Sequence, residues 1–270
     1  MSQHDVPSGP VPERKGLRRG VFLLPSLFTV ANLFCGWACV VYAMRGEFHT
    51  AAPFIGIAVV LDMLDGRIAR MTGSSSAFGV EFDSLADLIS FGMAPAALTF
   101  QWGLWPLGRL GWTVGFLYLT AAAVRLARFN IQRVADKRYF VGLPSPAAAG
   151  VPAATIFFLS EGPTDATPAA LALTMLFVPA LLMVSTIRFR SFKTLNLSAP
   201  VNSKVLVVVA AALALFATKP DVILVVLAYG YLVSPIVEWA VSRAMRRQPT
   251  PPAADLPAAE PVAESPRGDG

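Results

Sequence analysis

Residues 51–73 read AAPFIGIAVVLDMLDGRIARMTG, and residues 79–96 read GVEFDSLADLISFGMAPA. The first stretch opens as an apolar run and ends among Asp62, Asp65, Arg67 and Arg70; the second opens among Glu81, Asp83 and Asp87 and ends apolar. A short Ser-rich connection joins their polar ends, which predicts two helices folded back on each other with their charged ends together. A helix needs about 20 predominantly apolar residues to cross a hydrocarbon core of about 30 Å. Runs of that kind recur near residues 21–44, 49–70, 82–105, 111–130, 144–160, 167–187, 203–218 and 221–243. The expected fold is therefore an all-α, multi-pass transmembrane bundle of about eight spans. The fifth and seventh runs are short and rich in Ala, Gly or Pro, as suits helices that are tilted, broken or packed inside the bundle.

Composition agrees. Of 270 residues, 55% are hydrophobic and 14% charged, with a mean hydropathy of +0.58; a soluble domain carries roughly 25% charged residues. The net charge of +5 does not point to nucleic acid, because the basic residues lie between apolar runs and form no patch with interleaved aromatics. They alternate with the spans instead. Arg14 to Arg19, Arg67 and Arg70, Arg125 to Arg138, Arg188 to Lys204 and Arg243 to Arg247 all fall on one side, while Arg45, Arg109 and Lys219 fall on the other. Lys and Arg are enriched in cytoplasmic loops, so both termini are expected in the cytoplasm of a cell whose inner membrane holds the chain. The organisation expected is a basic N-terminal segment at 1–20, a transmembrane catalytic domain at 21–247 and a disordered Pro/Ala-rich tail at 248–270. Cys35 and Cys39, four apart in one run, read as reduced apolar helix residues. Trp102, Trp105 and Trp112 read as an aromatic belt at the outer interface.

Four aspartates interrupt this hydropathy pattern. An Asp near the centre of a span costs about 2.5–3.5 kcal/mol, so four left without partners would cost on the order of 10 kcal/mol. Asp62 and Asp65 stand at i and i+3 on one helix and Asp83 and Asp87 at i and i+4 on the next, so each pair shares a face. Folding the helices together makes a hard, all-oxygen site suited to two Mg²⁺ or Mn²⁺ ions, with no thiolate or imidazole to favour zinc. Gly66 and Gly79 remove side chains where a bulky ligand would approach the backbone, Arg67 and Arg70 supply guanidinium groups, and Ser74 to Ser76 supply hydroxyls. Metal, arginine and glycine together suit a diphosphate whose P–O bond is to be broken. Paired acids in membrane helices also serve proton relays and ion-coupled transporters, and helix capping by Asp explains one or two of the four. Neither alternative accounts for Gly66, Ala69, Arg70 and Gly79 as well.

The window Asp62-x2-Asp65-Gly66-x2-Ala69-Arg70-x8-Gly79-x3-Asp83-x3-Asp87 is similar, at all eight fixed positions, to the signature of the CDP-alcohol phosphatidyltransferase family. The resemblance implies an integral membrane enzyme, usually a homodimer, that moves a phosphatidyl group from CDP-diacylglycerol to an alcohol and releases CMP. It implies that Asp62, Asp65 and Asp83 bind the metal ions and that Gly66, Arg70, Ser76 and Gly79 approach the CDP moiety. It also makes Asp87 both a metal neighbour and the general base for the acceptor hydroxyl. FTVANLFCGW at 28–37, RLARFN at 125–130, FVGLPSPAAAG at 140–150 and STIRFRSFK at 185–193 resemble the bacterial branch that uses L-serine. Glycerol 3-phosphate, an inositol phosphate or choline are the alternative acceptors. A serine carboxylate needs a cation. Arg125, Arg128, Arg188, Arg190 and Lys193 are available, and Arg128 with Asn130 is the preferred pair because Arg-Phe-Asn places a guanidinium and an amide on one short segment.

Overall fold

A computed structural model of the chain describes residues 19–72, 76–131, 139–160, 167–190 and 203–245. Each of the eight apolar runs is helical. The helices are α1 (Arg19–Met44), α2 (Phe48–Thr72), α3 (Ala77–Asp87) with its continuation α4 (Ala94–Thr99), α5 (Arg109–Ile131), α6 (Ser145–Phe158), α7 (Thr167–Val184), α8 (Ser203–Thr218) and α9 (Pro220–Met245). Leu27–Met44 and Arg109–Ile131 are long and apolar enough to cross a membrane by length and composition, and Ser145–Phe158, Ala169–Val184 and Pro220–Pro235 are shorter apolar stretches. Residues up to Pro235 belong to one compact unit, and α9 runs on from Ile236 in a second. The expected basic segment at 1–20 lies almost wholly outside the described residues, as does the expected tail at 248–270.

The core is built from small side chains. Cys35, Cys39 and Ala43 of α1, Ala51, Ala52, Ile55 and Ala58 of α2, and Ala148, Ala149 and Ala153 of α6 are buried in one apolar cluster. Short side chains let helix axes approach closely, which is how helices associate where lipid removes the hydrophobic drive between them. The Ala-rich α6 is thus packed inside the bundle. Both cysteines are buried free thiols. At Gly36 the approach reaches its limit: a Cβ built there would lie 2.6 Å from the Ser90 hydroxyl oxygen and 2.9 Å from the Ser90 Cα. Ser90 in turn donates a hydrogen bond to the Asn32 carbonyl at 2.9 Å.

Two features depart from a plain helical bundle. The third apolar run widens into π-helical turns at Leu88–Met93 and Phe100–Leu104, before a 3-10 turn at Trp105–Leu107. In the first of these the Ala94 N–H reaches back five residues, to the Ile89 carbonyl. Pro95 follows, and it has no N–H for the Phe91 carbonyl four residues earlier; the buried Tyr118 hydroxyl of α5 donates to that carbonyl at 3.2 Å. The second departure is a two-stranded antiparallel ribbon, β1 (Tyr139–Val141) with β2 (Arg188–Arg190), in register Tyr139↔Arg190, Phe140↔Phe189 and Val141↔Arg188. Gly142, with φ +80°, turns the chain out of β1, and its N–H donates to the Ile187 carbonyl at 2.8 Å. Three-residue strands whose partners lie far apart in sequence leave no periodicity to detect. The expected tryptophan belt also needs correction. Trp105 and Trp112 are 67% and 69% exposed, but Trp102 is 4% exposed and its indole N–H donates to the Leu159 carbonyl at 3.2 Å.

Gly36→Val tests the α1 contact. The added side chain overlaps Ser90 backbone, and overpacking of this kind costs about 1–3 kcal/mol. The thermal midpoint of the detergent-purified protein is expected to fall, whereas an unchanged midpoint would mean that α1 can back away from Ser90.

Candidate active site

Asp62 and Asp65 sit near the end of α2, and Asp83 and Asp87 on α3, so the helical pair brings its acids to one place as the spacing requires. One carboxylate oxygen each from Asp62, Asp83 and Asp87 lies within 4.8 Å of the others. This is a group that could hold a metal ion. Asp65 is buried beside it but turned away: its Oδ2 accepts a hydrogen bond from the Thr29 hydroxyl of α1. Asp62 and Asp65 share a face, but its width, about 60° between residues three apart, lets Asp65 meet α1 while Asp62 meets α3. The structure thus brings one oxygen from each of three of the four expected metal ligands together, while Oδ2 of the fourth accepts a hydrogen bond from α1.

Helix α1 supplies a second donor one turn further on. Asn32 is 0% exposed, and its side-chain amide donates to Asp87 Oδ1 at 3.2 Å. Its own Oδ1 is buried without a hydrogen-bond partner. Thr29 and Asn32 are i and i+3 and therefore share the helix face turned to the acids. Both were missed in the sequence because polar residues within an apolar run read as interruptions. Their common spacing was the signal that pointed to a shared task.

The remaining expected residues take the following positions. Ser76 is the N-cap of α3, where its hydroxyl oxygen accepts the Gly79 N–H at 2.9 Å; such a cap contributes about 1 kcal/mol. A Cβ at Gly79 would stand 3.1 Å from that same oxygen, so the glycine leaves the cap and the space above it open. Gly66 is half-buried on α2 next to Asp65, and Arg67 is exposed. Position 70 is in α2, but the Arg70 side chain falls outside the described residues, as do residues 73–75 of the loop. Arg128 is exposed and donates to the Val184 carbonyl at 3.0 Å. Asn130 donates to the Ser84 hydroxyl at 2.9 Å, and Ser84 donates to the Val80 carbonyl at 3.1 Å. Of the two cationic candidates for a serine carboxylate whose side chains are described, Arg125 is the buried one, and its Nη1 donates to Ser145 Oγ at 2.6 Å. The guanidinium acts electrostatically on Asp87 and Asp62.

An all-oxygen donor set with a buried amide oxygen awaiting a partner beside Asp87 fits a hard divalent cation and its water. The residues present therefore suit the metal that the motif implies.

Comparison with known proteins agrees. Residues 22–187 match the CDP-alcohol phosphatidyltransferase family. A Helicobacter pylori (strain J99) protein named CDP-diacylglycerol--serine O-phosphatidyltransferase is 36% identical over 225 residues, covering 81% of this chain and 92% of that protein. A Mycobacterium tuberculosis (strain H37Rv) protein of the same name is 39% identical over 142 residues, 49% of each chain. An archaetidylserine synthase of Methanothermobacter thermautotrophicus is 37% identical over 128 residues, 47% of this chain and 54% of that protein.

The α1 contacts can be tested separately. Loss of a group that orients a metal-site carboxylate typically costs about 10–100-fold in metal affinity or activity. Thr29→Val is expected to raise the divalent-metal concentration needed for half-maximal activity, and Asn32→Ala to lower turnover, both without loss of folded protein. Unchanged metal dependence in the first variant and unchanged turnover in the second would reduce α1 to a packing element.

Proposed function

The chain belongs to the CDP-alcohol phosphatidyltransferase family, and from that premise we propose that it transfers the phosphatidyl group of CDP-diacylglycerol to the hydroxyl of L-serine, giving phosphatidylserine and CMP. It is an enzyme of phospholipid biosynthesis with a membrane-embedded fold, as its family is. The observation that carries the reading is the convergence of Asp62, Asp83 and Asp87 from two helices on one point. The acceptor follows from the activity named for the relatives and from the serine-branch segments of α1, α5 and α6.

Two divalent ions, Mg²⁺ or Mn²⁺, held by Asp62, Asp65, Asp83 and Asp87, would neutralise the diphosphate and polarise the phosphoryl group under attack. Gly66 and Gly79 leave room for the CDP moiety, and Arg70 and Ser76 supply donors to it. Asp87, aimed by the Asn32 amide, takes the proton from the serine hydroxyl. The oxygen so released attacks the β-phosphorus in line, its new P–O bond forming as the bond to CMP breaks, and CMP leaves with the electron pair. Asp87 then returns its proton to water. Because serine and CMP are cytoplasmic solutes, this site opens to the cytoplasm. The chain then spans a bacterial inner membrane eight times, with both termini inside, a basic segment at 1–20, the catalytic domain at 21–247 and a tail at 248–270, and works as a homodimer.

The decisive assay incubates purified protein with CDP-diacylglycerol, Mn²⁺ or Mg²⁺ and a panel of labelled alcohols. Serine label is expected in lipid, with CMP released in equal amount; label from glycerol 3-phosphate, an inositol phosphate or choline instead would reassign the acceptor. Cation transport without CMP release would reassign the class. Positioned general bases contribute about 10²–10⁴-fold, so Asp87→Asn should lose at least ~100-fold in turnover while CDP-diacylglycerol still binds. Normal activity in that variant removes Asp87 as the base. Excess chelator should stop CMP release, and undiminished release would sink the metal reading.

A further inference from the structure

The acidic cluster has a buried cation beside it that the proposed chemistry does not use. Arg125 is 9% exposed, whereas Arg45, Arg67, Arg109 and Arg128, the other arginines whose side chains are described, are exposed. A guanidinium taken out of water without an anion is costly. Among the described residues its side chain donates one hydrogen bond, from Nη1 to the buried Ser145 hydroxyl at 2.6 Å, while Nε is buried with no hydrogen-bond partner. Ser145 thus holds one end of the planar group and leaves the edge carrying Nε unclaimed. Two parallel N–H donors on such an edge match the two oxygens of a carboxylate.

The position of that edge follows from α5. Arg125 and Tyr118 are seven residues apart, about two turns, and so share a face. The Tyr118 hydroxyl donates to the carbonyl of Phe91, one turn beyond Asp87. The face of α5 that carries Arg125 is therefore turned toward the end of α3 that carries the acids. Its electrostatic partners agree, with Asp87 foremost and Tyr231 and Asp62 after it. Arg128, one turn on, is exposed and already donates to the Val184 carbonyl.

We infer that Arg125, held by Ser145, binds the carboxylate of the amino-acid acceptor and so selects serine over alcohols that lack one. The inference rests on the serine reading of the acceptor. In serine a few bonds separate the hydroxyl from the carboxylate, so one small molecule can present its hydroxyl to Asp87 and its carboxylate to Arg125. The carboxylate of the zwitterionic acceptor then gives the buried guanidinium an anionic hydrogen-bond partner.

Serinol, which replaces the carboxylate with a second hydroxymethyl group, provides the contrast. Initial rates are measured for wild type, Arg125→Gln and Arg125→Lys with labelled L-serine and labelled serinol, at saturating CDP-diacylglycerol and Mn²⁺. Losing hydrogen bonds to a charged group should raise the serine KM of Arg125→Gln at least ~10-fold and lower its serine-to-serinol preference by a similar factor. The KM for CDP-diacylglycerol should move by less than about twofold. Arg125→Lys keeps the charge without the fork and should fall between. A serine KM and a serine-to-serinol preference that both stay at the wild-type values overturn the inference, as does an equal rise in KM for serine and serinol. If Arg125→Gln fails to fold, judged by its thermal stabilisation on adding CDP-diacylglycerol, Arg125→Lys decides by the same two quantities. Wild-type protein that incorporates no serine at all refutes the acceptor reading itself, whereas serine use with an unaffected Arg125 variant refutes this assignment alone.

Discussion

Mutual repulsion of carboxylates at the end of a helical pair is the constraint around which the bundle is arranged. Asp62, Asp83 and Asp87, all half-buried, present oxygens within 4.8 Å of one another, close enough for each negative charge to oppose the next. Side chains alone would relieve this by rotating apart. Donors from α1 hold two of the four acids in place: Thr29 donates to Asp65 Oδ2, and Asn32 fixes one oxygen of Asp87. Those donors reach the acids because the small residues along α1 bring its backbone against the π-helical turn that follows Asp87, most closely where Gly36 meets Ser90. Packing of the core and orientation of the site are thus consequences of one helix contact.

The same economy governs the far side of α3. A proline two turns after the last acid withholds an N–H from the Phe91 carbonyl inside the bundle, where an unsatisfied polar group costs several kcal/mol. The Tyr118 hydroxyl meets that carbonyl, which anchors α5 at the same level. An interruption in one helix becomes the docking point of the next, and the docked helix brings a buried guanidinium to the acids.

The eight helices were legible because apolar runs of spanning length leave little choice of structure, and the four aspartates because an acid in such a run demands a reason. Spacing also told which acids share a helix, but it did not tell that Asp65 would turn to Thr29. That contact joins residues 36 positions apart, and local periodicity carries no information about a partner on another helix. The preference for Arg128 over Arg125 rests on its nearness to Asn130 and meets the same limit: each closes the same helix with a positive charge, and the surrounding elements bury Arg125 and expose Arg128. The β1–β2 ribbon, the π-helical turns and the burial of Trp102 were likewise settled by tertiary contacts.

The ribbon constrains how the chain can be threaded. Strand β1 precedes α6 and β2 follows α7, and the two are hydrogen-bonded neighbours. The segment between them must therefore leave and return on the same side of any bilayer, so the number of crossings it makes is even. Helix α6, only 14 residues long and rich in alanine and proline, cannot be committed to the membrane independently of α7. Because β1 is made before α6 and its partner β2 only after α7, the three residue pairs of the ribbon can close only once the whole segment between them is present.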